Sequence, residues 1–300
     1  MIPAGRESRE KRVARSFSTS SEPCSTRTML RRPSIAAHGV DNADWLKSAA
    51  IIFAFAGHFG YFFVENDRWW SVFGRFAAPT FFFLLGYARS RTVPLHWIWL
   101  GATLTALESW NADWTWVAPN ILLSFAVLRL VRPYALALLQ TSGWAAFVVM
   151  ELLLFALAPV AGSWADYGTE GWLWALFGLC QRQYVDAATE ESGDEGQAFL
   201  APPTSSEKTA LMRLVACLIA GVAYVWQEQQ EFAFPRIHLA VFVLGLAVLS
   251  LWLCLFRRGP SPVQPPRPIA MVLRFVGRRT LEIYAIQLAG SELITLAFDL

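Results

Sequence analysis

His58 is the side chain in this sequence best suited to moving a proton, and it stands within an apolar run, Trp45–Val64. A histidine that titrates near neutrality can take a proton from an attacking hydroxyl or amine. Asp44 and Lys47 precede it in the same run. On a helix the three lie within about 60° of one another, and His58 stands about 16 Å beyond Lys47. Two readings stand for each. Lys47 either belongs to a site or only carries its ammonium to the membrane surface. His58 is either a satisfied packing residue or a catalytic base, and in lipid the first is the costlier.

A second group is Gly74-Arg75-Phe76-Ala77-Ala78-Pro79. Pro79 has no backbone N–H, so the Arg75 carbonyl loses its helical partner and a kink is expected. Arg75 could pair an anionic group or polarise a carbonyl; the alternative is an interfacial arginine that steadies a hairpin. A third group is a stripe near the end of the chain. Thr280, Tyr284, Gln287, Ser291 and Thr295 recur at helical spacing on one face, with Glu282 and Glu292 on others. Such a stripe faces a wet cavity or serves as hydrogen-bonding glue between helices. Asn120, after Pro119, is a further buried polar candidate.

The elements that must hold these groups are apolar and long. Of 300 residues, 55% are hydrophobic and 16% charged, against roughly a quarter charged in an ordinary soluble domain. Runs of spanning length or near it are Trp45–Val64, Trp69–Ala88, Val93–Leu107, Val117–Val131, Tyr134–Val160, Gly171–Cys180, Ala210–Trp226, Ile237–Phe256 and Phe275–Phe298. The expectation is an all-α polytopic transmembrane helical bundle with about nine spans. A charge at mid-bilayer costs roughly 3 kcal/mol, so the polar groups above need reasons. No internal repeat is visible, which weakens an inverted-repeat transporter reading.

Residues 1–40, rich in Ser, Thr and Arg, read as a disordered basic cytoplasmic tail, and 41–300 as the transmembrane domain. No apolar core follows the tail closely enough for a secretory signal. A mobile acidic loop is expected over 183–209 and a Pro-rich extended one over 257–272. With the N-terminus inside, Arg89, Arg91, Arg129, Arg132, Arg182, Lys208, Arg213, Arg257, Arg258, Arg267 and Arg274 fall in cytoplasmic turns, while the opposite turns hold only Arg68 and Arg236. Those outer turns (Glu108–Trp116, Ser163–Glu170 and Glu228–Glu231) are rich in Trp, Asp and Glu. The net charge of +2 gives no reason to expect nucleic acid. Four cysteines without metal spacing and four dispersed histidines give no metal site.

The spacing Asp44-x2-Lys47-x10-His58, then Gly74-Arg75-x-Ala77-x-Pro79 before an aromatic-rich span, resembles the TraX family, known for N-terminal acetylation of conjugative F-pilin. Pro119-Asn120-Ile121-Leu122 and Tyr167-Gly168 fit as well. The stretch Gly277–Tyr284 is similar to that family and to the wider membrane acyltransferase-3 group. In that group the spacing Asp44–His58 and a segment like Phe82–Tyr87 also occur. The resemblance covers residues 41–298. It implies transfer of acetyl from cytoplasmic acetyl-CoA, without a metal, to a pilin-like terminus or another protein or glycan acceptor of the envelope, by a multi-pass protein of the inner membrane. His58 would be the general base and Arg75 a donor-binding or oxyanion residue. Asp44, Lys47, Asn120, Arg278, Tyr284 and Gln287 would bind donor or substrate. Two positions depart from the family: Gly57 stands where Asp often precedes the histidine, and Gln287 where relatives often have His. A glycan or lipid O-acetyltransferase, a transporter and an assembly scaffold are the other functions compatible with the residues.

Overall fold

The computed structural model describes residues 39–64, 67–90, 92–111, 117–162, 164–192 and 207–298. Among these it is all-helical, with ten helices and no strand beyond an isolated bridge, Asp41 to Pro260. The expected basic tail, 1–40, lies outside the described residues except Gly39 and Val40. Val40 is buried and its backbone bonds Gln264 and Ser261, so the packed unit begins before the expected boundary.

Helix α1 (Asn42–Phe63) opens on a capping box: Asp41 accepts from the Ala43 N–H, and Asp44 accepts from the Asp41 N–H. Helices α2 (Arg68–Gly74) and α3 (Ala77–Tyr87) meet at the break expected from Pro79. The Arg75 carbonyl, deprived of its helical donor, accepts instead from the Tyr224 hydroxyl at 2.7 Å. Helix α4 (Leu95–Asn111) leads to α5 (Ile121–Ala161).

Helix α5 is 41 residues long, about 60 Å if straight and roughly twice a bilayer core. It is not straight. The Asp166 N–H, just past its end, donates to the Pro119 carbonyl, just before its start, at 3.2 Å. The helix therefore doubles back on itself, and the reversal falls at Gly143, whose φ of 53° and ψ of −124° a side chain would resist. The turn expected at Arg132-Pro133 is helical instead.

Helices α6 (Gly168–Ser192), α7 (Glu207–Phe232), α8 (Arg236–Leu255), α9 (Arg267–Arg278) and α10 (Thr280–Phe298) complete the bundle. Residues 183–192 and 207–209 of the expected mobile loop are helical, and 193–206 lie outside the described residues. The expected extended segment 257–272 becomes helical at Arg267, where Pro268 suits a first turn. The last expected span divides into α9 and α10 at Arg279.

Among the described residues, five helices are long and apolar enough to cross a membrane: α1, α5, α7, α8 and α10. The chain is thus an α-helical protein of membrane type, and the count of nine is not reached. Helices α2 and α3 have 7 and 11 residues because the proline break divides them. Helix α4 has 17, α6 mixes charges into its apolar face, and two expected spans are joined in α5. Helix α6 is held by its neighbours: Leu173, Trp174 and Phe177 are fully buried, and Gln181 donates to the carbonyls of Cys254 and Phe256.

Candidate active site

Two cavities lie on opposite sides of Phe81, the one residue that lines both. The first has a volume of about 490 Å³ and is acidic: Glu108, Asp166, Glu231 and Glu292 face a single cation, Arg75. The second, about 450 Å³, is basic: Lys47, Arg89, Arg129, Arg258 and Arg278 face a single carboxylate, Glu282. Phe81 is buried between them and packs edge-on against Phe125.

His58, from α1, enters the acidic cavity. Its Nδ1 lies 2.5 Å from Gln287 Oε1 on α10, while the Gln287 Nε2 reaches Ser291 Oγ at 3.4 Å. A carboxamide oxygen only accepts, so in the neutral ring Nδ1 carries the proton and Nε2 keeps the lone pair. The position read as a departure from relatives is therefore the residue that orients His58. Tyr284 of the same stripe packs against the imidazole, ring centres 5.3 Å apart.

Gly57 also has a local reason. It crosses α2 at Gly74 so closely that a Cβ on Gly57 would stand 2.9 Å from the Gly74 Cα, and one on Gly74 2.4 Å from the Gly57 Cα. No side chain, aspartate included, fits this crossing as it stands.

Arg75 projects from the α2–α3 break, where the missing helical bond frees the backbone to turn. Its Nε lies 3.3 Å from Glu228 Oε2, whose side chain is 1% exposed. Its Nη1 donates to the Tyr167 hydroxyl at 3.4 Å, and its guanidinium stacks on Phe232, 4.1 Å from the ring centre. Arg75 is thus a clamped cation on the cavity wall. Asn120 caps α5 through the Leu122 N–H, and its Nδ2 donates to Glu108 at 3.2 Å. Asn111 likewise donates to Glu292.

Of the residues expected to bind donor or substrate, Asn120, Tyr284 and Gln287 gather around His58, and Lys47 and Arg278 line the basic cavity. The Lys47 Nζ donates to the Gly277 carbonyl at 3.0 Å, capping the end of α9. Asp44 lines neither cavity. It is committed to the capping box and packed over Gly277. Glu108, Asp166, Tyr167, Glu228, Glu231 and Phe81 carry the site yet were not singled out as site residues. Glu108, Glu228 and Glu231 were visible only as turn residues, because α4 and α7 run further than the apolar patterning shows; Asp166 does lie in a turn. Tyr224, which satisfies the Arg75 carbonyl, had a signal in Pro79 but no pattern to name it.

The basic cavity can hold an anionic, phosphate-bearing molecule. The acidic one offers an oriented imidazole beside a fixed cation, the parts needed to deprotonate a nucleophile and stabilise an oxyanion. Compared with family models, curated proteins and solved structures, the chain gives no match.

Proposed function

We propose that this chain is an integral membrane acetyltransferase that takes acetyl from acetyl-CoA and delivers it to an envelope acceptor, such as a pilin-like protein terminus. One observation carries the reading: a basic cavity and an acidic, histidine-bearing cavity meet at Phe81. The phosphates of the donor suit Lys47, Arg89, Arg129, Arg258 and Arg278. The positive-inside rule puts that cavity on the cytoplasmic side of the cell membrane, with the N-terminus inside. The resemblance of residues 41–298 to TraX supports the same donor.

The chemistry is a displacement at the thioester carbonyl. The acceptor amine or hydroxyl loses its proton to His58 Nε2 and attacks the carbonyl carbon. Arg75 faces the negative charge that gathers on the carbonyl oxygen. The intermediate then expels the thiolate, which takes the proton from His58 and leaves as free coenzyme A. One C–S bond breaks, one C–N or C–O bond forms, and the proton count is unchanged. Acetyl crosses the level of Phe81 in this scheme, and the acceptor is met on the acidic side.

A second reading follows from the same partition: two cavities divided by one aromatic side chain also suit a gated solute pathway. Protein purified in detergent with labelled acetyl-CoA and an envelope fraction separates them. The acetyltransferase labels an acceptor, and His58→Ala lowers the rate at least about 100-fold. No label with wild type, or equal label with both, overturns it. Solute uptake into vesicles in the absence of acetyl-CoA would establish the pathway instead.

A further inference from the structure

We propose that the cleft between the two arms of α5 and helix α6 binds one anionic phospholipid of the bilayer. The cleft is separate from the acidic cavity, borders the basic one through Arg89, and has two ends. Its polar end, about 470 Å³, is walled by Arg89, Arg132 and Arg182, with Asp186 as the lone carboxylate. Its apolar end, about 210 Å³, is formed by side chains such as Leu128, Met150, Leu153 and Trp172, and its one polar side chain is Arg132. Arg132 and Leu179 line both volumes, so the two ends adjoin.

The dimensions suit a lipid seated along the helices. Trp172 marks the apolar end and Arg182 the polar end of the same helix α6, a rise of about 15 Å for ten residues. That is the drop from a headgroup into the hydrocarbon of one leaflet. The fold-back of α5 at Gly143 is what creates the space, since it lays two arms of one helix beside α6.

The polar chemistry selects charge. Asp186 accepts from Arg182 Nε at 2.6 Å and from Arg89 Nη2 at 3.1 Å, which holds two guanidinium forks side by side. Arg182 Nη1 also donates to the Tyr87 carbonyl, and Arg132 Nε to the Gly86 carbonyl, so neither head is free to swing away. Three guanidiniums against one carboxylate leave an excess of two positive charges. The Arg89 side chain, 76% exposed, keeps its other N–H groups for a ligand. Guanidinium forks match phosphate oxygens in pairs. A zwitterionic headgroup brings its own ammonium against these arginines, and inorganic phosphate leaves the apolar end empty. A diacyl lipid with a net negative headgroup satisfies both ends, and basic pockets between membrane helices are where such lipids are held. Arg89 also lines the basic cavity, so a headgroup seated here stands against the wall of that cavity.

The full chain, purified in mild detergent and mixed with equal phosphatidylglycerol and phosphatidylethanolamine of matched acyl chains, tests this by native mass spectrometry. One phosphatidylglycerol is retained, with at least about tenfold preference. Arg89→Glu lowers retention about tenfold by reversing a charge at the polar end. Leu153→Trp does so by filling the apolar end with all three arginines in place. Arg236→Glu, an exposed charge beyond this cleft, leaves retention unchanged. Equal retention of the two lipids overturns the proposal, as does retention that survives both cleft variants. If excess inorganic phosphate displaces the lipid and Leu153→Trp has no effect, the cleft is an anion site and the lipid proposal also falls.

Discussion

The Nδ1 of His58 and the Oε1 of Gln287 face each other at 2.5 Å, so α10 decides which nitrogen of the α1 imidazole keeps its lone pair. Outer partners that fix a ring tautomer typically change activity by about 10–100-fold when removed. Gln287→Leu is therefore expected to slow acetyl transfer by that factor. Gln287→Glu keeps an acceptor oxygen and is expected to retain most of the rate. Its carboxylate favours the imidazolium, so the rise of rate with pH moves to higher pH. Initial rates with labelled acetyl-CoA across pH check both. A packing role alone, which the isosteric glutamate would also fill, would leave the pH profile unmoved.

The contact of Gly57 with Gly74 carries a stability prediction. Gly57→Asp forces α1 away from α2, because its Cβ would arrive 2.9 Å from backbone rather than from a mobile side-chain tip. Overpacking of this kind costs about 1–3 kcal/mol. The variant is expected to melt at lower temperature in detergent even where its new carboxylate could reach His58, and Gly57→Ala to fall nearly as far.

The pair Arg75–Glu228 makes a third. Breaking a buried ion pair from one side costs about 3–5 kcal/mol, since the remaining charge is left without compensation. Glu228→Leu is expected to lower the thermal midpoint strongly. Arg75→Leu with Glu228→Leu is expected to recover part of the loss, because both charges leave together. A double variant as unstable as the sum of the singles would show that the two residues act independently.

What the sequence made legible follows from the range over which each signal acts. The break at Pro79 is local: one missing N–H frees one carbonyl, and the structure breaks there. The place of His58 on an apolar helix and the stripe from Thr280 to Thr295 are also local, and α10 does bring Gln287 and Tyr284 to His58. The capping role of Asp44 has a local signal too, an acidic residue three positions after Asp41, on a residue that also aligns with Lys47 and His58. The fold-back of α5 has a local mark, Thr141-Ser142-Gly143 within the long run Tyr134–Val160, but the bond between Pro119 and Asp166 spans more than forty residues, which no periodicity reports. The same holds for Glu228: nothing near it in sequence marks it as the partner of Arg75, and near the polar end of α7 it reads as a surface charge. The partition at Phe81 was hidden most deeply, since one phenylalanine among Phe81, Phe82 and Phe83 has no distinguishing neighbour.

Burial of Asp166, in the turn between α5 and α6, predicts a pH dependence of stability with a definite sign. Burial pushes its carboxyl up to about 6, against the pull of Arg75 and of bonds from the backbone of Ile121 and Tyr167. The folded protein thus holds this proton more tightly than the unfolded chain, where an aspartate titrates near 4. The resulting stabilisation is fully present below about pH 4 and is lost as pH rises through about 6. Asp166→Asn lacks this titration. Its melting temperature is expected to match wild type near pH 4, to exceed it increasingly between pH 4 and 6, and to keep a constant advantage above that. Thermal scans of both proteins in one detergent from pH 4 to 7.5 check the trend. A wild-type advantage that grows with pH would mean that Asp166 is stabilised as a carboxylate, and that Arg75 outweighs the burial around it.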